Sequence, residues 1–443
     1  EVHKIAGGGH RRLIGIGSVI SSYAHLFGSE SRFFSCTEEF LSQFKPAWFR
    51  NETILLKGAR AFGFERLHQL LQQKSHETVL EVNLNALVHN LNHYRSLLKP
   101  DTRIMAMVKA FSYGSGSFEI ANTLQFHRVD YLAVAYADEG VELRKAGISL
   151  PVMVMNPEES GMEAMLQYGL EPEVYNLRSL GLLLKAMRAP GRQHPAEVDV
   201  HIKLDTGMHR LGFEEQEIGD LIRQLSEAPA IRVKSAFSHL AASDDPQLDA
   251  FTQQQLSQFS AMTNKLEKAL GYSFLKHVLN SAGISRFPEA QLDMVRLGIS
   301  MYGISSDPEE QKMLEVVSSL KTSISQIKHL NPGESVGYSR AWVADKRVTI
   351  ATIPIGYADG LSRRLSNGRG TMLVNGFPAR VAGNICMDMT MLDITGIEAR
   401  EGDEVIVFGK ELPISSLAEA METIPYEILT GISRRVKRVY FQE

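Results

Sequence analysis

The chain has 443 residues, more than one ordinary hydrophobic core organises, so two or three domains are expected. Hydrophobic residues make up 44% and charged residues 22%, and 47 Lys plus Arg against 51 Asp plus Glu leave a net charge of -4, which provides no basic field for nucleic acid or an anionic membrane. The two cysteines, Cys36 and Cys386, lack metal-ligand spacing, which excludes a disulfide scaffold, gives no sign of a metal site and fits a reducing, cytoplasmic compartment.

No apolar run of about 18 residues is present, so no transmembrane helix is expected. Glu1-Val2-His3-Lys4 is not followed by the apolar core of a signal peptide. The chain starts without Met, as part of a longer or processed polypeptide would.

Residues 1 to 75 read as a small α/β unit. Arg12 to Gly17 is expected as strand and turn, Thr37-Glu38-Glu39-Phe40-Leu41 as a helix start, Thr53 to Gly58 as a second strand, and Phe64 to Gln73 as a helix with one apolar face. The Gly15-Ile16-Gly17 pair lacks the third glycine of a dinucleotide site.

From Thr78 short apolar strands alternate with amphipathic helices. The expected strands are Thr78–Val82, Ile104–Val108, Tyr131–Val134, Pro151–Met155, Val198–Leu204, Val233–Ser238, Phe274–Leu279 and Leu292–Leu297, with helices such as Leu84–Leu98 and Pro246–Leu270 between them. This spacing indicates parallel βαβ units closing into a (β/α)8 TIM barrel over residues 76–310, with an open doubly wound sheet as the alternative. After about residue 310 come Thr322–Ile327, Val348–Ile353, Thr371–Val374, Phe377–Val381 and Glu404–Phe408, separated by turns such as Asn331-Pro332-Gly333 and Asn375-Gly376. They predict a C-terminal antiparallel β domain over residues 311–443.

Several barrel strands end on chemically capable residues. Lys109 follows the apolar run Ile104–Val108, where burial would keep part of its amine neutral and nucleophilic. His201 to Gly212 is dense in charge where a buried strand should be apolar, and such charges need partners. His239 follows Phe237-Ser238, Asn280-Ser281 follows His277-Val278-Leu279, and Arg296-Leu297-Gly298-Ile299 closes the series. Taken singly, each has an ordinary explanation: a strand-end lysine, a core histidine, a helix cap, a strand-end ion pair.

Together they form motifs. Met107-Val108-Lys109-Ala110 with Tyr113-Gly114, Lys203-Leu204-Asp205-Thr206-Gly207-Met208 with Arg210-Leu211-Gly212, Val295-Arg296-Leu297-Gly298, Val336-Gly337-Tyr338, Ile353 to Gly360, and Ile385-Cys386-Met387-Asp388 occur in the order found in alanine racemases. Residues 78 to 443 therefore resemble that family of fold type III pyridoxal-phosphate enzymes. The resemblance implies interconversion of L- and D-alanine for peptidoglycan synthesis by a homodimer that binds neither nucleic acid nor membrane.

It also implies residue roles. Lys109 holds pyridoxal 5'-phosphate as a Schiff base and then serves as the base on the D face, while Tyr338 acts from the L face. A phenol with a reference pKa of about 10 needs help to lose its proton, and His239 is the family's candidate. Arg296 meets the pyridine nitrogen without surrendering its proton. Tyr113, Asn280, Ser281, Gly298 and Ile299 belong to the cofactor site, with phosphate held by Tyr113, Ser281 and the amides near Gly298 and Ile299. Arg210 and Met387 engage the substrate carboxylate, and Tyr338, Tyr357 and Met387 come from the other subunit. Lys203 is a candidate for carbamylation.

The chain departs from the family pattern at Phe111 and Ser112, and at Arg434, where many relatives have a tyrosine near the phosphate. Arg434 is expected either to contact phosphate or to face away and relax selection toward serine. A broad-specificity or serine racemase, and a non-catalytic pyridoxal-phosphate-binding protein, are the competing readings. A fold type III decarboxylase is disfavoured by the lack of its Cys-containing motif. Residues 1 to 75 resemble part of the C-terminal domain of the Mur ligase that adds D-alanyl-D-alanine, through Ile54-Leu55-Leu56-Lys57-Gly58-Ala59-Arg60. No phosphate-binding Gly-x-x-x-x-Gly-Lys-Ser/Thr loop accompanies them, so no ligase activity is expected.

Overall fold

The computed structural model describes residues 12–45, 48, 49, 54–58, 62, 64, 67, 71, 77–189 and 196–442. The chain divides into two compact units, Glu1–Ser75 and His76–Glu443.

In the first unit strand β1 (Ile14–Ile16) pairs in parallel with β2 (Arg32–Phe34), and helix Thr37–Gln43 follows. Ile16, Phe34, Phe40 and Leu67 form its core, in which Phe34 and Phe40 meet edge to face at 5.2 Å. The strand expected at Thr53–Gly58 is absent: residues 54–58 are irregular, and Thr53 lies outside the described residues. The reason is burial. Leu55 is 83% exposed, so that apolar run has no sheet to join, whereas β2 buries Phe34. The helix expected over Phe64–Gln73 lies largely outside the described residues.

The second unit opens with β3 (Val79–Asn83), and the Asn83 side chain caps helix Leu84–Ser96 by accepting from the Ala86 amide at 3.0 Å. Leu84, Leu87, Leu91 and Tyr94 line the buried face of that helix at helical spacing. Eight parallel strands follow: β4 (Arg103–Met107), β5 (Tyr131–Val134), β6 (Val152–Val154), β7 (Glu171–Val174), β8 (Val198–Lys203), β9 (Ile231–Phe237), β10 (Leu275–His277) and β11 (Met294–Leu297). Their order is β10-β9-β8-β7-β6-β5-β4-β11. The two ends are joined by Asp293 N–H to Lys276 O at 3.1 Å and Arg296 N–H to Leu279 O at 3.0 Å, which brings the sheet round into a barrel. Runs such as Tyr131–Val134 are buried throughout, as parallel strands covered on both faces must be.

One expected barrel strand was misplaced. Thr78–Val82 corresponds to β3, which lies outside the barrel, and the missing member is β7, Glu171-Pro172-Glu173-Val174. Two carboxylates and a proline hide β7 from any hydrophobic pattern, while the alternating burial of β3 suits a sheet with two different faces.

The remaining strands are β12 (Ser318–Ser323), β13 (Gln326–Leu330), β14 (Ser335–Val336), β15 (Trp342–Val343), β16 (Val348–Ile353), β17 (Thr371–Val374), β18 (Phe377–Val381), β19 (Thr390–Asp393), β20 (Glu404–Phe408) and β21 (Lys437–Phe441). Nine strands make one sheet, in the order β13-β16-β19-β18-β17-β20-β12-β3-β21. Asn375 and Gly376, with φ of 49° and 81°, turn β17 into β18 as that dipeptide predicts. The expected single strand Thr322–Ile327 is broken between β12 and β13, and helices Ile414–Met421 and Pro425–Gly431 interrupt what was expected to be all β.

Candidate active site

Lys109 stands two residues beyond β4 and opens an unusual turn. Ala110, Phe111, Ser112 and Tyr113 all have φ between 51° and 56°, a left-handed helical turn built from ordinary L-residues. Such geometry costs roughly 1–2 kcal/mol per residue and persists only where the surroundings impose it. Here Glu139 accepts from the Ala110 amide at 2.7 Å, the Gly114 amide donates to Ala110 O at 3.0 Å, and Arg438 Nε donates to Gly114 O at 2.9 Å. Burial, and then the charge of Arg210, lower the Lys109 pKa below that of a free lysine, against the opposing carboxylates Glu139 and Glu173. More of its amine is therefore neutral and able to attack a carbonyl.

Arg296, on β11, is 3% exposed. Its Nη1 donates to His277 Nδ1 at 2.9 Å and to His277 O at 3.1 Å. Its Nη2 donates to Ser238 O at 2.6 Å and Val278 O at 3.0 Å, and reaches His239 Nδ1 at 3.4 Å. Burial brings its pKa down to about 10, which leaves it charged at neutral pH. His239, following β9, is held neutral, its pKa pushed down to about 2 by burial and then by Arg296. Lys203, at the end of β8, is buried with Nζ 4.3 Å above the Phe237 ring, and burial favours its neutral form against the attraction of Glu173. Lys109, Lys203, Arg210, His239 and Arg296 thus share one field.

A second group converges on Gly298. Its amide donates to Ser281 Oγ at 2.9 Å, and a Cβ placed there would come within 3.1 Å of Tyr113 Oη and 3.6 Å of Ser281 Oγ. Ile299 begins the 3-10 turn Ile299–Tyr302. Asn280 caps helix Ser281–Arg286, accepting from the Gly283 amide at 2.9 Å, so its ordinary structural role is real.

The structure also places the remaining residues. Tyr338, Tyr357 and Met387 lie outside the barrel and are 70%, 44% and 54% exposed. Among the described residues no hydrogen bond or ring contact ties their side chains to Lys109, His239 or Arg296. Met387 O accepts from the Ala358 amide at 3.0 Å and Cys386 O from the Tyr357 amide at 3.0 Å, which holds the Tyr357 and Met387 segments side by side. Arg434 lies 4.8 Å from the Phe111 ring and lines a small cavity with Ala110, Phe111, Gly114 and Glu139. Glu139, Glu173, Tyr302 and Arg438 were not anticipated. Tyr302 donates to Met107 O at 3.1 Å, beneath the lysine. Only Glu173 left a trace in the sequence, a charge beside a proline in a segment that folds as a buried strand.

Family models for the N-terminal and C-terminal domains of alanine racemase match residues 82–306 and 317–440. The chain belongs to the alanine racemase family. Alanine racemase of Symbiobacterium thermophilum is 38% identical over 371 residues, covering 82% of this chain and 97% of the relative. Alanine racemase 2 of Caldanaerobacter subterraneus subsp. tengcongensis is 36% identical over 373 residues, covering 82% of this chain and 94% of that one. Among solved structures, the alanine racemase of Clostridium difficile 630 superposes with a TM-score of 0.77 at 36% identity, covering 83% of this chain and 96% of its own. That of Bacillus anthracis with bound L-Ala-P gives 0.77 at 30% identity, covering 83% and 95%. The family matches do not extend into residues 1–75.

The family's cofactor is pyridoxal 5'-phosphate, and the donor set suits it. Lys109 offers a partly neutral amine, the Gly298 amide and Tyr113 Oη surround a space free of any Cβ, and both terminal nitrogens of Arg296 are engaged while no bond from its Nε is found among the described residues.

Proposed function

We propose that this chain racemises alanine between Lys109 and Tyr338, with pyridoxal 5'-phosphate held by Lys109, Tyr113, Asn280, Ser281, Arg296, Gly298 and Ile299. Bound at Lys109, the cofactor supplies an electron-withdrawing ring that lowers the barrier to removing the α-proton. The observation that carries this reading is the placement of a partly neutral Lys109 at the end of β4, beside cationic Arg210 and Arg296.

Lys109 Nζ takes or returns the α-proton on one face, and Tyr338 Oη on the other. The exposure of Tyr338 supports its reaching the site of a second copy, so the working form is a homodimer with shared sites, to which Tyr357 and Met387 contribute. His239, neutral and with Nδ1 facing the Arg296 donor, keeps its proton on Nε2 and offers it to the oxygen of that phenol. Arg296 keeps its proton and so donates a hydrogen bond without transferring charge. Arg210 pairs with the substrate carboxylate, and Lys203 is the amine that carbon dioxide would carbamylate.

The chain works in the cytoplasm, a reading supported by its two free cysteines and by the finding that no helix among the described residues is long and apolar enough to cross a membrane. We divide the sequence into segments 1–75, 76–310 and 311–443, with β3 of the middle segment lying in the sheet of the last. The first part is related to the C-terminal domain of a Mur ligase on the strength of Ile54–Arg60, and any catalysed D-alanyl-D-alanine ligation by the purified chain would contradict its assignment as a remnant.

The test is the visible spectrum of the purified protein together with D-alanine formation from L-alanine. A yellow protein that makes D-alanine, losing colour in Lys109→Ala and turnover in Tyr338→Phe, supports the reading. Turnover of serine above alanine would move the substrate assignment, and a yellow but inert wild type would leave only cofactor binding.

A further inference from the structure

The hydrogen bond from Arg296 to His277 is the last link of a longer chain. His277 Nε2 lies 2.9 Å from Ser235 Oγ, Ser235 Oγ lies 2.6 Å from His201 Nδ1, and His201 Nε2 lies 2.8 Å from Glu171 Oε2. Five consecutive strands, β7 to β11, each give one residue. His201, Ser235 and His277 are fully buried, and only the Glu171 side chain, at the start of β7, is 16% exposed.

The chemistry of the two ends orders the middle. A guanidinium only donates and a carboxylate only accepts. Arg296 donates to Nδ1 of His277, so His277 carries its proton on Nε2 and donates to Ser235. Ser235 can then pass its own proton to Nδ1 of His201, which leaves Nε2–H of His201 to be received by Glu171. With one proton on each imidazole, this is the single arrangement that satisfies every group. The face of His277 is fixed as well, stacked on Phe237 at 4.9 Å and 6°.

We propose that Glu171 is a positioning residue for the reaction: through His201, Ser235 and His277 it anchors a one-way hydrogen-bond chain that holds the Arg296 guanidinium in place. The proposal rests on the reading that Arg296 faces the cofactor ring. Removing the acceptor strands the buried Nε2–H of His201, which then favours the Nδ1–H tautomer. That tautomer donates to Ser235 and opposes the direction of the chain. Ser235 loses the acceptor for its own proton, and the His277 acceptor that steadies Arg296 weakens.

Histidine-selective 15N NMR of the holoenzyme, assigned with single-histidine variants, reads the tautomers directly and independently of any substrate. Wild type should show His201 and His277 both protonated on Nε2 alone. Glu171→Met should move His201 to Nδ1–H, shift the His277 nitrogens and lower kcat about tenfold with KM nearly unchanged. Glu171→Gln, which keeps an acceptor oxygen, should restore both. Ser235→Ala cuts the chain in its middle by one atom, giving the same kcat loss even if the methionine variant fails to fold. In a double-mutant cycle Glu171→Met should add little to Ser235→Ala. A doubly protonated or Nδ1–H His201 in wild type, unchanged 15N shifts in Glu171→Met, or additive losses in the cycle would each overturn the proposal. Correct tautomers in a protein that racemises some other amino acid would overturn the substrate assignment and leave the proposal standing.

Discussion

Arg438 donates from Nε to the carbonyl oxygen of Gly114 at 2.9 Å, across 324 residues of sequence. The same guanidinium donates to Ser433 O, Val436 O and Ile432 O at 2.6, 2.6 and 2.8 Å, so it clips the left-handed turn after Lys109 to the chain's last loop. Arg438→Ala should cost about 3 kcal/mol in urea unfolding and weaken cofactor retention. Arg438→Lys should recover less than half of that, since an ammonium cannot fork to four carbonyls. A lysine variant as stable as wild type would show that the clip does not hold the turn.

Gly298 is needed for its bare Cα. Its surroundings, Tyr113 Oη at 3.1 Å and Met107 Cγ and Ser281 Oγ at 3.6 Å from a Cβ, leave a methyl only slight room in the protein but place it where phosphate would sit. Gly298→Ala should lower the unfolding midpoint slightly, because the buried Tyr113 hydroxyl must give way, and lose about tenfold in cofactor affinity, read by dialysis against the free cofactor. Equal affinity would locate the phosphate elsewhere.

Acid should destabilise this protein through its buried imidazoles. The folded-state pKa of His239 is about 2 and that of His277 lies well below 6.5, both chiefly because of burial and then Arg296. Below about pH 6.5 the unfolded chain therefore binds protons that the folded chain refuses, and stability is lost as pH falls. Urea midpoints should drop from about pH 7 to 5, with a shallower slope in His239→Asn. An equal slope in that variant would show that His239 is charged in the folded state.

Arg434 turns toward an aromatic face, at 4.8 Å from Phe111, where Arg438 also approaches at 5.4 Å. We infer that a guanidinium so engaged leaves open the place that a tyrosine would take beside the phosphate. Arg434→Tyr should lower kcat/KM for serine relative to alanine several-fold. Equal exclusion of serine by both proteins would end the idea of a wider gate.

Much of this architecture was legible because periodicity and burial agree. Val348–Ile353, Thr371–Val374, Phe377–Val381 and Glu404–Phe408 form strands where the apolar spacing places them, and Asn375-Gly376 makes the turn its backbone preferences require. Glu171–Val174 stayed hidden because its inward face serves polar partners, and Val79–Asn83 went to the wrong sheet because pairing is a long-range property that local pattern does not carry. The residues that the structure gathers around Arg296 and Gly298 were legible as motifs. The chain from Glu171 to Arg296 was not, since it depends on which strands become neighbours.

The position of β3 has one more consequence. It precedes the barrel in sequence yet lies between β12 and β21, antiparallel to the first and parallel to the second, with Lys437 in register with Val79. Topologically the whole barrel is an insertion within a sheet. A cut near residue 310 leaves the nine-stranded sheet without β3, which stays on the barrel's side of the cut. Strand β21 closes against β3, so the sheet is completed only after the barrel's sequence has been made, and the loop closed by that pairing is nearly the length of the unit.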